Sequence, residues 1–197
     1  MQKRILLGVG WPYANSQLHL GHVAGAYLPP DIFARYQRLR GRDVLMVSGS
    51  DTHGTPITIR AEQEGITPQE VIERYHHSFI ESFVGLGISF DLFTHTNTEN
   101  HWEITTDIFS RLLDQGYIYS EAMESLYCED CDRYLADRYV EGECPFCGFE
   151  NARGDQCDTC GKPLDALELI DPRCAFCGHT PVVRETEHFF LDLPQFN

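Results

Sequence analysis

Two histidines, His19 and His22, are three residues apart and have side chains suited to phosphate chemistry. On the first turn of a helix this spacing would place both imidazoles on one face. Unpaired backbone N–H groups at a helix start attract phosphate, and two imidazoles add donors that can hold a triphosphate as charge shifts. Gly21 has no side chain, so a flat base could lie against the backbone there. The alternative is that both histidines only cap and pack a helix start.

A strand-to-helix crossing is predicted to position these histidines. The apolar run from Ile5 to Val9 predicts a buried strand, and the residues after His22 follow a helical pattern. A second buried strand is predicted from Val44 to Val47, so residues 5–47 would form a right-handed, parallel βαβ unit. Because ligands bind at the carboxyl ends of strands in such sheets, the fold class is α/β with a candidate nucleotide site at this crossing.

Three amphipathic helices are predicted from the spacing of apolar residues. The first opens at Pro30, because Pro29-Pro30 cannot continue an inner helical turn. The second opens at the capping box Thr67-Pro68-Gln69-Glu70, and the third runs from about His101 to Gln115. The residues expected to face a core are, in chain order, Ile32, Phe33, Tyr36 and Leu39; Val71, Ile72, Tyr75, Phe79, Ile80 and Phe83; and Ile104, Ile108, Leu112 and Leu113.

Eight cysteines form four Cys-x-x-Cys pairs in the second half of the chain. Such pairs indicate zinc rather than disulfides in a reducing compartment, although a redox pair or an iron–sulfur site is an alternative. Two pairs complete a closed tetrahedral site of the structural kind, and the sequence allows three ways of combining four pairs. The shortest connection, from Cys147 to Cys157, favours one ion held by the inner pairs and a second held by the outer pairs. The ligands would be Cys144, Cys147, Cys157 and Cys160 for the first ion, and Cys128, Cys131, Cys174 and Cys177 for the second.

Charge and hydropathy narrow the functional classes. The formal net charge is -15, whereas a nucleic-acid-binding surface should be basic, so this segment is not expected to be the main surface that grips RNA. No run approaches the ~20 apolar residues that span a bilayer. The first residues also lack the apolar stretch of a signal peptide, so we expect a cytoplasmic protein.

Three segments together carry a family resemblance. Pro12-Tyr13-Ala14-Asn15, Leu18-His19-Leu20-Gly21-His22 and Gly49-Ser50-Asp51-Thr52-His53-Gly54-Thr55-Pro56 closely resemble motifs of class I aminoacyl-tRNA synthetases, in the expected order. The four cysteine pairs narrow the resemblance to methionyl-tRNA synthetases, in their archaeal or eukaryote-like form. The family's nested zinc arrangement agrees with inner pairs sharing one ion and outer pairs sharing another.

The resemblance implies a reaction and partners. Methionine and ATP, with Mg, would give methionyl-adenylate and pyrophosphate, and the methionyl group would then pass to the 3′ end of tRNA. The implied catalytic residues are His19 and His22. The implied ATP contacts are Pro12, Tyr13, Asn15, His19, Gly21 and His22, and the implied substrate contacts are Trp11, Tyr13 and Asp51.

Some of these assignments have structural alternatives. The Asp51 carboxylate would pair with the ammonium group of the amino acid, but it could instead cap a helix that starts near Gly54. Trp11 and Tyr13 could wall a methionine side-chain pocket, since a thioether suits aromatic neighbours, or they could be core. Trp11 also departs from the aliphatic residue that bacterial members tend to carry there. His53 is expected to be structural.

The implied fold is the first half of a Rossmann-like parallel-sheet nucleotide-binding domain with an inserted zinc-knuckle (connective) module. We predict residues 1–116 for that half, 117–187 for the insertion and 188–197 for a strand returning to the catalytic domain. The second half of the nucleotide fold, the Lys-Met-Ser-Lys-Ser-like loop and the anticodon-binding domain are absent from the sequence. We therefore expect an amino-terminal fragment or one chain of a split enzyme, with weak or no activity alone. The alternatives are a Val, Ile or Leu synthetase, a small nucleotidyltransferase, or a non-catalytic zinc-knuckle and nucleotide-binding fragment.

Overall fold

A computed structural model describes residues 4–196. The chain folds into two compact units, Met1–Thr106 and Asp107–Asn197. The division falls before the boundary predicted near Gly116. The predicted domain limits at 116 and 187 therefore stay predictions.

The first unit contains a parallel three-stranded sheet in the order β1-β2-β3. Its strands are β1 (Arg4–Gly8), β2 (Asp43–Ser50) and β3 (Leu92–His95). The helices are α1 (Leu20–His22), α2 (Leu28–Leu39), α3 (Thr55–Glu64), α4 (Pro68–Leu86) and α5 (Glu99–Asp114), and α5 continues into the second unit. This α/β arrangement confirms the predicted fold class and the βαβ unit.

The core of the first unit lies on one face of this sheet. Val44 and Met46 from β2 pack with Tyr27, and with Phe79 and Phe83 from α4. The predicted inward residues of α4 are buried or half-buried. The capping box predicted at Thr67 is present, with Pro68 in the first turn and Gly87 ending the helix at φ 69°. Both the predicted ends of α4 and its predicted buried residues thus agree with the structure.

The opposite face of the sheet is open in this chain, which corrects the prediction of two buried strands. Leu6 and Leu45 are paired in register, yet they are 71% and 51% exposed. Side chains alternate between the faces of a strand, so helices on one side bury only every second residue. A continuous apolar run marks a strand with two coverable faces, and only one face is covered here.

The predicted apolar face of α2 is likewise exposed. Its buried residues are Asp31, Ala34 and Gln37, while the stripe expected to be inward is on the surface: Ile32, Phe33, Tyr36 and Leu39. The helix does not break at the prolines; a π-helical turn from Val23 to Tyr27 leads directly into α2. Pro29 and Pro30 have no N–H to donate, but they lie in the first turn of α2, where the N–H groups have no partner within the helix. The predicted stripe lies wholly within α2, so its spacing correctly indicates an amphipathic helix but does not show whether another element covers the apolar face.

The predicted inward residues of α5 are also not buried. No residue of α5 within the described chain is buried, and Ile104, Ile108 and Leu113 are exposed. Phe109 makes an edge contact with Phe189, with ring centroids 5.6 Å apart. The stripe correctly indicates an amphipathic helix, but amphipathicity does not require that its apolar face be covered.

Two small antiparallel sheets organise the second unit. The first has the order β5-β4-β9, from β4 (Ile118–Cys128), β5 (Arg133–Tyr134) and β9 (Val182–Leu191), and the second has the order β7-β6-β8, from β6 (Val140–Glu143), β7 (Ala152–Arg153) and β8 (Ile170–Cys174). The predicted strand after His188 is the end of β9, which pairs along its length with β4. Its role as a return to the catalytic domain stays a prediction.

Candidate functional site

The candidate site begins where the chain leaves β1 and runs beside the end of β2. The N–H of Ala14 donates to the carbonyl of Asp51 at 2.9 Å, and the N–H of Asp51 donates to the carbonyl of Pro12 at 2.8 Å. These bonds form a parallel bridge between Tyr13 and Asp51. Pro12 and Ala14 are buried, and half-buried Asn15 donates its N–H to the Tyr13 carbonyl at 2.9 Å. The predicted ATP segment and the predicted acidic anchor are therefore adjacent.

The two histidines cap the helix start with one nitrogen each. The N–H of Gly21 donates to Nδ1 of His19 at 3.0 Å, and the N–H of His19 donates to Nδ1 of His22 at 3.4 Å. The rings stack with centroids 3.7 Å apart. Because each Nδ1 accepts a hydrogen bond, each neutral ring carries its proton on Nε2, which is then the free donor. His19 is exposed and His22 is half-buried, so the rings do not lie in a packed interior.

His22 is held in its neutral form. Partial burial, and then the charge that His19 can carry, lower the pKa of His22 from 6.5. A neutral imidazole has the free Nδ1 lone pair that the capping bond needs. Capping thus occurs, but it leaves Nε2–H available for a ligand.

Gly21 leaves room for the capping position of the His19 ring, a reason for glycine that the sequence did not suggest. A Cβ at this position would lie 2.9 Å from Cε1 and 3.0 Å from Nδ1 of His19. Any side chain would therefore push the imidazole out of its capping position. This constraint stands beside the predicted role of Gly21 in accepting a base, which stays a prediction.

Trp11 covers the end of β2 on the face that also carries Asp51. A Cβ on Gly49 would lie 2.6 Å from the Trp11 ring, and Gly49 and Asp51 are two residues apart, hence on one face. Trp11 and Tyr13 are 40% and 49% exposed, so neither ring is core. Both aromatic rings thus remain available as walls beside the carboxylate.

The carboxylate of Asp51 does not cap a helix. Its Oδ1 accepts from the N–H of His53 at 3.3 Å, while α3 begins after Gly54, which provides no side-chain cap. His53 is itself held by a 3.3 Å contact between Nε2 and the carbonyl of Thr96. The structural role expected for His53 is consistent with this contact.

A cleft of mixed polar and apolar lining, which the sequence did not predict, opens beside this segment. Its volume is about 430 Å³, and its polar lining residues are Thr52, His53, Thr58, Thr67, Gln69 and Asn97. The amide of Asn97 donates to Gln69 at 2.9 Å, joining the start of α4 to the residues after β3. No sequence signal singled out Asn97, because a polar residue between a possible strand and a helix is usually a loop residue.

The cysteines form two clusters with the geometry of four-thiolate metal sites. Cys128, Cys131, Cys174 and Cys177 form one, and Cys144, Cys147, Cys157 and Cys160 form the other, with the sulfur atoms in each within 4.8 Å of one another. This grouping is the predicted nested one. Cross-pair Sγ···Sγ distances are 3.4 and 3.9 Å in the outer cluster, and 3.9 and 3.6 Å in the inner one. A tetrahedron with Zn–S bonds of about 2.3 Å has edges of about 3.8 Å, so the residues fit the ion.

The backbone of each cysteine pair turns sharply after its second cysteine. The residue after each second cysteine has a left-handed φ: 51° at Asp132, 73° at Gly148, 71° at Gly161 and 76° at Gly178. Backbone N–H groups also favour the thiolate form. That of Cys160 is the main cause lowering the pKa of Cys157 to about 7, and that of His179 is the main cause lowering the pKa of Cys177 to about 6. Thiolates are the form that binds metal.

A family model described as "tRNA synthetases class I (M)" matches residues 5–197. The chain belongs to this family. The methionine–tRNA ligase of Thermomicrobium roseum is 62% identical over 196 residues, which are 100% of this chain and 34% of that protein. The methionine–tRNA ligase of a Roseiflexus species is 63% identical over 193 residues, which are 98% of this chain and 33% of that protein. This synthetase-family chain therefore spans about a third of the length of these curated relatives.

Solved structures confirm the fold of this class I chain. The Mycobacterium tuberculosis methionyl-tRNA synthetase in complex with methionyl-adenylate matches with a TM-score of 0.66 and 21% identity, covering 100% of this chain and 33% of that one. The Agrobacterium radiobacter LeuRS in a ternary complex matches with a TM-score of 0.66 and 22% identity, covering 99% and 21%. Within residues 4–196, no helix is long and apolar enough to cross a membrane.

Proposed function

We propose that this chain is the amino-terminal part of a cytoplasmic methionine–tRNA ligase. The carboxylate oxygen of methionine would attack the α-phosphorus of ATP, and pyrophosphate would leave. A 3′-terminal hydroxyl of tRNA would then attack the carbonyl carbon of methionyl-adenylate, and AMP would leave. The archaeal or eukaryote-like form stays a prediction. Because the formal net charge is -15, the main tRNA contacts are expected outside this chain.

The bridge between Tyr13 and Asp51 is the observation that carries the proposal. It joins the helix start bearing the imidazole donors to the carboxylate beside the Trp11 ring. The Nε2–H groups of His19 and His22 would hold the triphosphate of ATP and stabilise charge as the pentacovalent phosphorus forms. Such catalysis is mainly positioning, because the donors are oriented by Nδ1 before the substrate arrives.

The amino acid would occupy the Asp51 side of the bridge. Its ammonium group would pair with the Asp51 carboxylate, and its thioether would lie against Trp11 and Tyr13. Pro12, Asn15 and Gly21 would contact ATP, which binds with Mg. The two cysteine clusters would each hold a zinc ion that stabilises the fold, since four thiolates leave no open coordination position.

Amino-acid-dependent exchange of pyrophosphate into ATP tests this function. The complete synthetase carrying this chain is assayed with methionine, valine, isoleucine and leucine in turn. We expect exchange with methionine alone, and weak or no exchange by residues 1–197 in isolation. Exchange supported best by valine, isoleucine or leucine would instead assign the chain to another class I synthetase. Exchange with none of the four would reject the function.

A further inference from the structure

A buried cluster beneath the end of β2 has no part in the chemistry proposed above. Ser50 is fully buried, and its hydroxyl lies 2.8 Å from Nδ1 of His76 on α4. His95 is opposite Ser50 in the register of β2 and β3, and its ring stands edge-on to His76 with centroids 5.1 Å apart. A buried hydroxyl needs a hydrogen-bond partner, and His76 supplies one from a different element. The cluster thus ties α4 to the last residue of β2.

Asp51 is anchored on both sides along the chain. The carbonyl of Ser50 accepts from the N–H of Thr96 at 3.1 Å. Thr52 donates its N–H to the Thr96 hydroxyl at 2.9 Å, and the two hydroxyls are 2.8 Å apart. Since successive side chains of an extended strand point to opposite faces, these anchors hold one face of the backbone. The carboxylate of Asp51 is left on the other face, where the Trp11 ring lies.

We propose that His76 is a positioning residue for Asp51. Through the Ser50 hydroxyl it fixes the end of β2, so that the Asp51 carboxylate stands ready for the ammonium group of the amino acid. This inference rests on the function proposed above. His76 touches no substrate itself and acts only through Ser50.

The surroundings of His76 favour its neutral form. Burial, and then His95 and His77, lower the pKa of His76 from 6.5. The groups that contact it are Ser50 from β2, and Phe93 and His95 from β3; His77, the next residue of α4, acts on it only through charge. Nδ1 of His95 is buried without a hydrogen-bond partner among the described residues. His76 is therefore mainly neutral above pH 6.5 and becomes charged as the pH falls through the lowered pKa.

Steady-state exchange assays on the complete synthetase test the proposal. His76→Phe keeps an aromatic ring but removes the bond to Ser50, so we expect KM for methionine to rise about tenfold while KM for ATP changes by less than about twofold. His77→Phe is the matched control, since it makes the same change one residue along α4 at a side chain that is 75% exposed. It should change neither constant. His76→Asn can present an amide group near the position of Nδ1 and should restore most of the affinity.

Ser50→Ala supplies an independent arm. It should raise KM for methionine as much as His76→Phe, and the double variant should be no worse than either, because both remove the same bond. If His76→Phe fails to fold, Ser50→Ala carries the test.

Asp51→Asn distinguishes a failure of this inference from a failure of the proposed function. A rise in KM for methionine with Asp51→Asn but not with His76→Phe would overturn the positioning role and leave the proposed function standing. An unchanged KM with Asp51→Asn would overturn the role of Asp51 itself. If His76→Phe raised both KM values equally, His76 would be a general structural residue and the inference would be wrong.

Discussion

At the scale of single residues, the site depends on which nitrogen of each histidine accepts a backbone hydrogen bond and which one can donate to a ligand. The sequence predicted donors at a helix start and, as the alternative, caps. The structure has both, because Nδ1 of His19 and of His22 accepts a backbone bond while Nε2 remains free. The spacing could not show which nitrogen caps the helix and which remains a free donor, because that depends on the rotation of the side chain.

We predict that His22→Ala in the complete synthetase lowers the rate of adenylate formation. One oriented donor of charge stabilisation is worth about 2–4 kcal/mol, which is about 30-fold to 10³-fold in rate. Since the pKa of His22 is lowered from 6.5, the neutral ring persists at neutral pH; as the pH falls below 6.5 through the lowered value, Nδ1 is protonated and the capping bond that orients Nε2–H is lost. Wild-type rates should therefore fall in that range, measured by rapid quench of labelled ATP.

His77→Ala is the control for this variant, because His77 is exposed on α4 and takes no part in the site. Its adenylation rate should equal that of the wild type. An adenylation rate in His22→Ala equal to that of His77→Ala would remove His22 from the mechanism.

At the scale of elements, local signals predicted helix ends better than helix faces. The capping box at Thr67 and the glycine stop of α4 are present where the sequence places them, because both are satisfied within a few residues. The predictions of which face of α2 and of α5 is buried were wrong. Which face is buried depends on which elements cover it, and that is not encoded in local spacing.

We predict that Thr67→Ala destabilises the first unit by about 1 kcal/mol, since it removes an N-cap. The Thr67 hydroxyl accepts from the N–H of Glu70 at 3.2 Å, and the Thr67 N–H donates to Glu70 at 2.8 Å. Thr105→Ala, in the exposed part of α5, makes the same chemical change without a cap and should stabilise slightly through helix propensity. Urea unfolding followed by circular dichroism compares the two, and equal effects would contradict the capping role.

Glu70→Gln separates the charge of this cap from its hydrogen bonds. The Thr67 N–H, and then its hydroxyl, lower the pKa of Glu70 from 4.5, so this stabilisation is present above pH 4.5 and is lost as the pH falls through the lowered value. Glutamine can accept the same bonds but cannot titrate. The unfolding free energy of Glu70→Gln should therefore depend less on pH below 4.5.

At the scale of the whole molecule, the cysteine clusters show what a sequence can specify over long distances. Spacing left three pairings open, and the sequence favoured the nested one because the connection from Cys147 to Cys157 is the shortest. The clusters are nested as predicted. The open face of the parallel sheet, by contrast, could not be foreseen, because a strand's apolar content does not reveal which layers are present to cover it.

Paired cysteine variants give a test in which the nested and the consecutive pairings predict opposite results. Two zinc ions are expected per chain, measured by mass spectrometry under native conditions. Cys128→Ser with Cys174→Ser damages only the outer cluster, so one ion should remain; Cys128→Ser with Cys144→Ser damages both clusters, so none should remain. If consecutive pairs shared ions, the first variant would lose both ions and the second would lose one. Because bound metal supplies folding free energy, the variant that keeps one ion should also lose less of its circular dichroism on chelation than the wild type.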